Sequence, residues 1–260
     1  MNLFSPEIPV LLVGAPGVGK TASVRAHFEH AEIVLTSTLV EEDIAGLPYR
    51  EGDYDYRTVP SIFRRLHEAS AAGKTTVLFL DELDKARRSV ADTLLTLVAS
   101  RQVGSAALPE DTCIVAAANP PEFGGGDGIG DAMLSRFAVI DYVPDVGKWA
   151  AWAKTKFNTP AANRVIESVR NGEMPVFDMT GEGLDRRITT PRTLAMALQA
   201  IQRGAEEDSV DTLVRGLLTP ATASQIMHFI RKADNEVLSK ATSSVRRSGV
   251  AAKTAKILRV

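Results

Sequence analysis

The chain has 260 residues, 45% of them hydrophobic and 24% charged, with a formal net charge of -2. This is the make-up of a soluble globule with room for one large domain, or for one with a smaller companion. It argues against a chain-wide attraction to nucleic acid or membrane surfaces; no apolar run is long enough to span a bilayer, and the N-terminal residues lack the basic-then-apolar profile of a secretory signal. A single cysteine, Cys113, can form no internal disulfide and reads as a small core residue in the apolar run Cys113–Ala118. The histidines (His27, His30, His67 and His228) show no metal-ligand spacing, and His27 and His30 are expected three apart on a helical surface. These features fit a cytoplasmic location.

In chain order, Ile8–Val13 is a first apolar strand, and directly after it comes Gly14-Ala15-Pro16-Gly17-Val18-Gly19-Lys20-Thr21. This is the G-x-x-x-x-G-K-[ST] pattern in its proper setting, between a strand and a helix (Lys20–His30). Glycines at this spacing let successive backbone N–H groups turn inward around phosphate oxygens, while the helix that follows offers its positive end to the same anion. Lys20 is placed to reach the β- and γ-phosphates and the Thr21 hydroxyl to ligate Mg²⁺. The ligand so implied is a nucleotide with Mg²⁺, and the alternative is a glycine-rich surface turn.

Glu32–Thr36 reads as a second strand and Pro60–Ala71 as a helix with Ile62, Phe63, Leu66 and Ala69 on one face. Thr76–Leu80 is a buried strand that runs into two adjacent carboxylates, Asp81 and Glu82. Beside a phosphate loop, Asp81 would hold Mg²⁺ and Glu82 would polarise an attacking water. Like charges repel, so two adjacent acids at a strand end are costly without a cation to face. Ala86–Ser100 is a helix, Thr112–Ala118 a strand, and Phe137–Val143 the last strand of this half. Strands separated by helices predict a parallel sheet covered on both faces, with ligands at the carboxyl ends of the strands.

Beyond Pro144 helical periodicity takes over: Val146–Phe157, Pro160–Asn171, Pro191–Ala205, Val210–Leu218 and Pro220–Leu238. Pro160, Pro191 and Pro220 stand at helix starts, with Thr159, Thr190 and Thr219 as N-caps. The expected division is a nucleotide-binding core over residues 1–144, a small all-helical domain over 145–240 and a basic tail over 241–260. From Lys240 onward six basic residues occur without an acid; such a stretch is either a solvated tail or a contact for an acidic partner.

Over roughly residues 5–240 these segments together resemble the AAA+ ATPases, and within them the MoxR-type group with its NorQ/CbbQ-like and gas-vesicle (GvpN) members. Gly14–Thr21 matches the family's Walker A loop and Val77–Ala86 its Walker B segment. Ala116-Ala117-Ala118-Asn119-Pro120 matches the sensor-1 strand, Leu134-Ser135-Arg136-Phe137 the arginine-finger segment, and Thr190-Pro191-Arg192 the sensor-2 motif. The resemblance implies a P-loop NTPase sheet followed by a helical AAA+ lid. It further implies that Asn119 orients water and contacts the γ-phosphate, and that Arg136 reaches a neighbouring subunit's nucleotide in trans. Arg192 would couple nucleotide state to the lid, in cis or in trans. A guanidinium suits both arginines because it stays charged and binds phosphate bidentately.

Residues 44–63 resemble the family's insert, with a hairpin expected around Glu51-Gly52-Asp53 flanked by Tyr49, Tyr54 and Tyr56. The chain departs from the family in two places. Gly124–Gly130 is glycine-rich, and Ser135 stands where an acid is common.

The function that the resemblance implies is that of an ATP-hydrolysing hexameric ring that remodels or activates a client protein. With the phosphate loop starting at residue 14, grip on the client is expected from a separate partner, in MoxR-type relatives often one with a von Willebrand factor A domain. A nucleic-acid-handling motor and a nucleotide-gated scaffold with little turnover are the alternatives. Nucleic acid is not expected as a partner, given the charge and the lack of a helix-turn-helix or zinc signature, and a membrane is not expected either.

Overall fold

The computed structural model describes residues 3–123, 128–180, 187–204 and 206–232. The chain divides into two compact units, 1–143 and 144–260.

In the first unit the sheet strands are β1 (Val10–Val13), β2 (His30–Leu35), β5 (Thr76–Asp81), β8 (Cys113–Ala118) and β9 (Ala138–Asp141). They pair in the order β2-β5-β8-β1-β9, every pair parallel. The middle of this order goes to the most continuously apolar runs, because a strand flanked on both edges and covered on both faces has no polar surroundings to face. Successive side chains then feed opposite faces. Leu11, Leu78, Leu80, Ile114 and Ala116 pack with Phe63 and Leu66 of α3 (Ser61–Ala71) and Val90, Leu94 and Leu97 of α4 (Arg88–Ser100). Val10, Leu12, Val77, Phe79, Val115 and Ala117 pack on the other face with Val24 of α1 (Lys20–His27) and Phe28. This parallel sheet with helices on both faces is the P-loop NTPase architecture that the sequence predicts.

Smaller elements fill the connections. A short helix, α2 (Glu41–Ala45), leads into the hairpin β3 (Pro48–Glu51) and β4 (Tyr54–Arg57), whose turn falls at Gly52-Asp53 as the sequence predicts. Tyr49 and Tyr56 face each other across the hairpin with ring centroids 5.5 Å apart. A second, two-residue hairpin, β6 (Gln102–Val103) with β7 (Ala106–Ala107), and the single-turn helix α5 (Asp131–Leu134) are not foreseen in the sequence. Arg101 ends α4 in the left-handed region at φ 58. Its guanidinium donates to the carbonyls of Pro6 (2.7 Å), Pro109 (2.8 Å) and Thr112 (2.7 Å), tying three segments together at the start of β8.

The second unit holds α6 (Val146–Lys156), α7 (Pro160–Arg170), α8 (Pro191–Gln202), α9 (Glu207–Leu217) and a further helical stretch over 220–232. Their shared core includes Trp149, Ile166, Leu194, Leu198, Val214 and Ile226. The Thr159 and Thr190 side chains accept from Ala162 N and Thr193 N, so both N-caps form as the sequence predicts. The Thr219 hydroxyl donates to Asp178 Oδ2 (2.7 Å).

One expectation is corrected. His27 and His30 do not share a helix: α1 stops at His27, and His30 opens β2. The His30 amide donates to Thr75 O at 3.1 Å, so pairing with the neighbouring strand outweighs helix extension there. Among the described residues of the second unit, Asp178 and Thr189 form an isolated antiparallel bridge, which leaves the unit helical. Gly124, Gly125, Gly126 and Asp127 of the glycine-rich stretch, and the basic tail, lie outside the described residues.

Candidate functional site

The loop Gly14–Gly19 connects the carboxyl end of β1 to the first turn of α1. All three of its glycines are required by geometry, Gly17 through its φ of 79. Gly19 stands at φ 105, a conformation that side-chain-bearing residues rarely adopt. A Cβ on Gly14 would lie 2.4 Å from the Tyr142 carbonyl oxygen, so only glycine lets the loop leave the sheet beside the segment after β9.

Lys20 is buried, 8% exposed, and its ammonium donates to Gly14 O (2.5 Å), Ala15 O (3.1 Å) and Asn119 Oδ1 (3.0 Å). A buried ammonium requires such partners. Thr21, next on the helix, donates its hydroxyl to Asp81 Oδ2 at 2.7 Å. The carboxyl ends of β1, β5 and β8 therefore converge: the loop from the first, Asp81 from the second and Asn119 from the third.

Glu82 follows Asp81 at φ 57, one of two non-glycine residues with positive φ among the described residues. This conformation turns the chain sharply off β5, and the Glu82 amide donates to Asp81 Oδ1 (3.1 Å). The Glu82 carboxylate is held on both sides, by Ser37 Oγ at 3.0 Å and by Lys85 Nζ at 3.2 Å, and its carbonyl accepts from Thr36 Oγ1 at 2.7 Å. Ser37 and Thr36 belong to the single turn after β2, so the outer strand beside β5 supplies these holds. Two residues on, Asp84 is buried and accepts the Asn119 amide at 3.1 Å.

Not every candidate residue joins this group. Arg136 is exposed and folds back on its own helical turn, donating to Ala132 O and to Ser135 Oγ (3.4 Å). Arg192 opens α8 in the second unit and is exposed. Ser37, Thr36, Lys85 and Asp84 were not singled out in the sequence. Asp84 alone carries a signal there, as an acid on a turn whose neighbour Leu83 is apolar and buried.

The donor set fits a magnesium nucleotide. Mg²⁺ takes one or two protein oxygens and fills its remaining positions from phosphate and water; Thr21 Oγ1 and Asp81 Oδ2 are such a pair. Among the described residues there is no cluster of three or more His, Cys, Asp or Glu side chains placed to hold a metal by themselves. The loop glycines leave main chain rather than side chains facing the bend, as a phosphate cradle requires.

Residues 9–137 match the AAA domain, dynein-related subfamily. Solved structures of RuvB from Thermotoga maritima are similar. One, described as a Holliday junction branch migration motor, is 17% identical over 85% of this chain and 61% of its own, with a TM-score of 0.44. A point mutant of it is 16% identical over 85% and 61%, with a TM-score of 0.45. The present chain thus spans about three fifths of their length. No curated protein matches it.

Proposed function

We propose that this chain, whose residues 9–137 are an AAA domain of the dynein-related subfamily, is a Mg²⁺-dependent ATPase of MoxR type that works as a ring on a client protein. The observation that carries the ATPase reading is the contact of Thr21 Oγ1 with Asp81 Oδ2 at 2.7 Å, directly beside the buried Lys20. It sets two hard oxygen ligands next to an ammonium and a loop of main-chain amides. In this reading residues 1–144 are the nucleotide core, 145–240 the lid and 241–260 a basic tail.

Each residue has a task. The amides of Gly14–Thr21 and the Lys20 ammonium bind phosphate oxygens, Lys20 exchanging its loop carbonyls for them. Thr21 and Asp81 hold the cation, which when bound neutralises phosphate charge. Glu82 accepts a proton from the attacking water once its carboxylate leaves Ser37 and Lys85. Asn119 orients that water and contacts the γ-phosphate. Arg136 supplies positive charge to a neighbouring subunit's nucleotide, a role for which its exposed position leaves it available. Arg192 links nucleotide state to the lid.

A hexameric ring, a client and a partner bearing a von Willebrand factor A domain are the family-based part of the proposal, as is a cytoplasmic location. No helix among the described residues is long and apolar enough to cross a membrane. The deciding experiment is steady-state hydrolysis by the pure protein with and without Mg²⁺, set beside Glu82→Gln. The variant is expected to bind ATP, lose turnover and favour the assembled ring. Hydrolysis at the wild-type rate by Glu82→Gln would refute the role given to Glu82.

A further inference from the structure

The peptide group between Ala118 and Asn119 is held from two sides. Its carbonyl, Ala118 O, accepts the Gly14 amide at 3.2 Å, where the phosphate loop begins. Its amide, Asn119 N, donates to Asp84 Oδ1 at 3.1 Å. The Asn119 side chain then accepts from Lys20 at 3.0 Å. Asp84 is 4% exposed, and its second oxygen, Oδ2, is buried with no hydrogen-bond partner among the described residues.

That second oxygen makes the arrangement informative. With Oδ2 uncommitted, the hydrogen bonding of this buried side chain goes to the Asn119 amide, a contact that must offset the cost of taking a polar group out of water. The sharp turn at Glu82 and the burial of Leu83 beside it drive Asp84 inward toward the end of β8. The two strands are neighbours, so the carboxylate spans from the turn after one to the tip of the other.

We infer that Asp84 is a positioning residue for hydrolysis, acting through Asn119. By fixing the Ala118–Asn119 peptide against the loop it sets where the Asn119 amide stands when Lys20 turns to a phosphate. The inference rests on the ATPase reading above.

The test compares Asp84→Ala, Asp84→Asn and Asn119→Ala, alone and combined, by steady-state hydrolysis, by binding of a non-hydrolysable ATP analogue and by thermal melting. Asp84→Ala is expected to lower kcat about tenfold or more while changing analogue affinity less than about threefold. Asp84→Asn, whose amide oxygen accepts the same N–H, is expected to recover kcat to within about threefold of wild type. Added to Asn119→Ala, the Asp84→Ala change is expected to cost little more, as for two groups acting in one chain of contacts. Should Asp84→Ala fail to fold, Asp84→Leu, which fills the space without an acceptor, takes its place. Undiminished kcat in the acceptor-free variant, or a loss that simply multiplies with that of Asn119→Ala, overturns the inference while leaving the ATPase reading intact. If no acceptor-free variant folds, Asp84 serves folding and the inference falls. A wild-type protein without ATPase activity overturns both.

Discussion

Ser37, on the turn after β2, donates its hydroxyl to the Glu82 carboxylate at 3.0 Å, and so ties the proposed water-activating group to the strand beside its own. Hydrogen bonds to a charged group contribute about 1.5–3 kcal/mol, less where water competes, and Glu82 is partly exposed and keeps Lys85. Ser37→Ala should therefore raise basal kcat by roughly threefold without changing KM, because the carboxylate has less to leave behind. Steady-state assays at saturating ATP check this; a lowered kcat would mean that Ser37 aims Glu82 rather than restrains it.

The Thr21–Asp81 contact predicts how binding responds to metal. Wild-type affinity for ATP should fall on chelation of Mg²⁺, by an amount calorimetry can read. Asp81→Asn should lose most of that response and about 100-fold in turnover, or ~2.7 kcal/mol. Nucleotide binding to Asp81→Asn that still tracks Mg²⁺ as in wild type would remove Asp81 from the cation.

Glu32 predicts an acid-sensitive edge. Arg65 donates to both of its oxygens at 2.8 and 2.7 Å, and His30 meets one at 2.9 Å. The Arg65 hydrogen bonds hold the Glu32 carboxyl below its ordinary range, against the opposing effect of burial. A depressed folded-state pKa means that this stability is fully present above the ordinary carboxylate range. It is lost as pH falls through that range to the lower folded value. Glu32→Gln should cost about 1–2 kcal/mol at neutral pH, since a pair of charge-assisted bonds is weakened with Arg65 partly in water. The gap in melting temperature between wild type and variant should close in acid; a gap constant with pH would assign the effect to packing.

Gly14→Ala tests the close approach to Tyr142. The obstructing atom is a backbone carbonyl, which cannot rotate away as a side chain would. Overpacking of this kind costs about 1–3 kcal/mol, or roughly 3–10 °C in melting temperature for a protein of this size. ATP affinity should fall with it, because the loop must shift. A variant as stable and as tight-binding as wild type would show that the segment after β9 yields freely.

Much of this was legible because it is written locally. The phosphate loop and the apolar run ending in Asp81-Glu82 announce themselves through short-range pattern, and β5 and β8 came out nearly to the residue since a fully buried strand needs an unbroken apolar run. Thr159 and Thr190 were readable as caps because a cap bond spans only a few residues. What was missed depends on tertiary neighbours. Ser37 meets Glu82 only because β2 lies beside β5, and Asp84 meets Asn119 only because β5 lies beside β8. The shared helix for His27 and His30 failed for the same reason: strand pairing at His30 is invisible in local periodicity.

Cys113 gives the molecule a built-in clock. It is the chain's one thiol, it opens the central strand of the sheet, and burial pushes its pKa up. A thiol reagent should therefore modify it only when the sheet comes apart, so its labelling rate reports the lifetime of the folded core without any engineered probe. Nucleotide that grips the loop at the end of β1, the strand next to β8, should slow that clock, and the slowing gives occupancy a readout independent of hydrolysis.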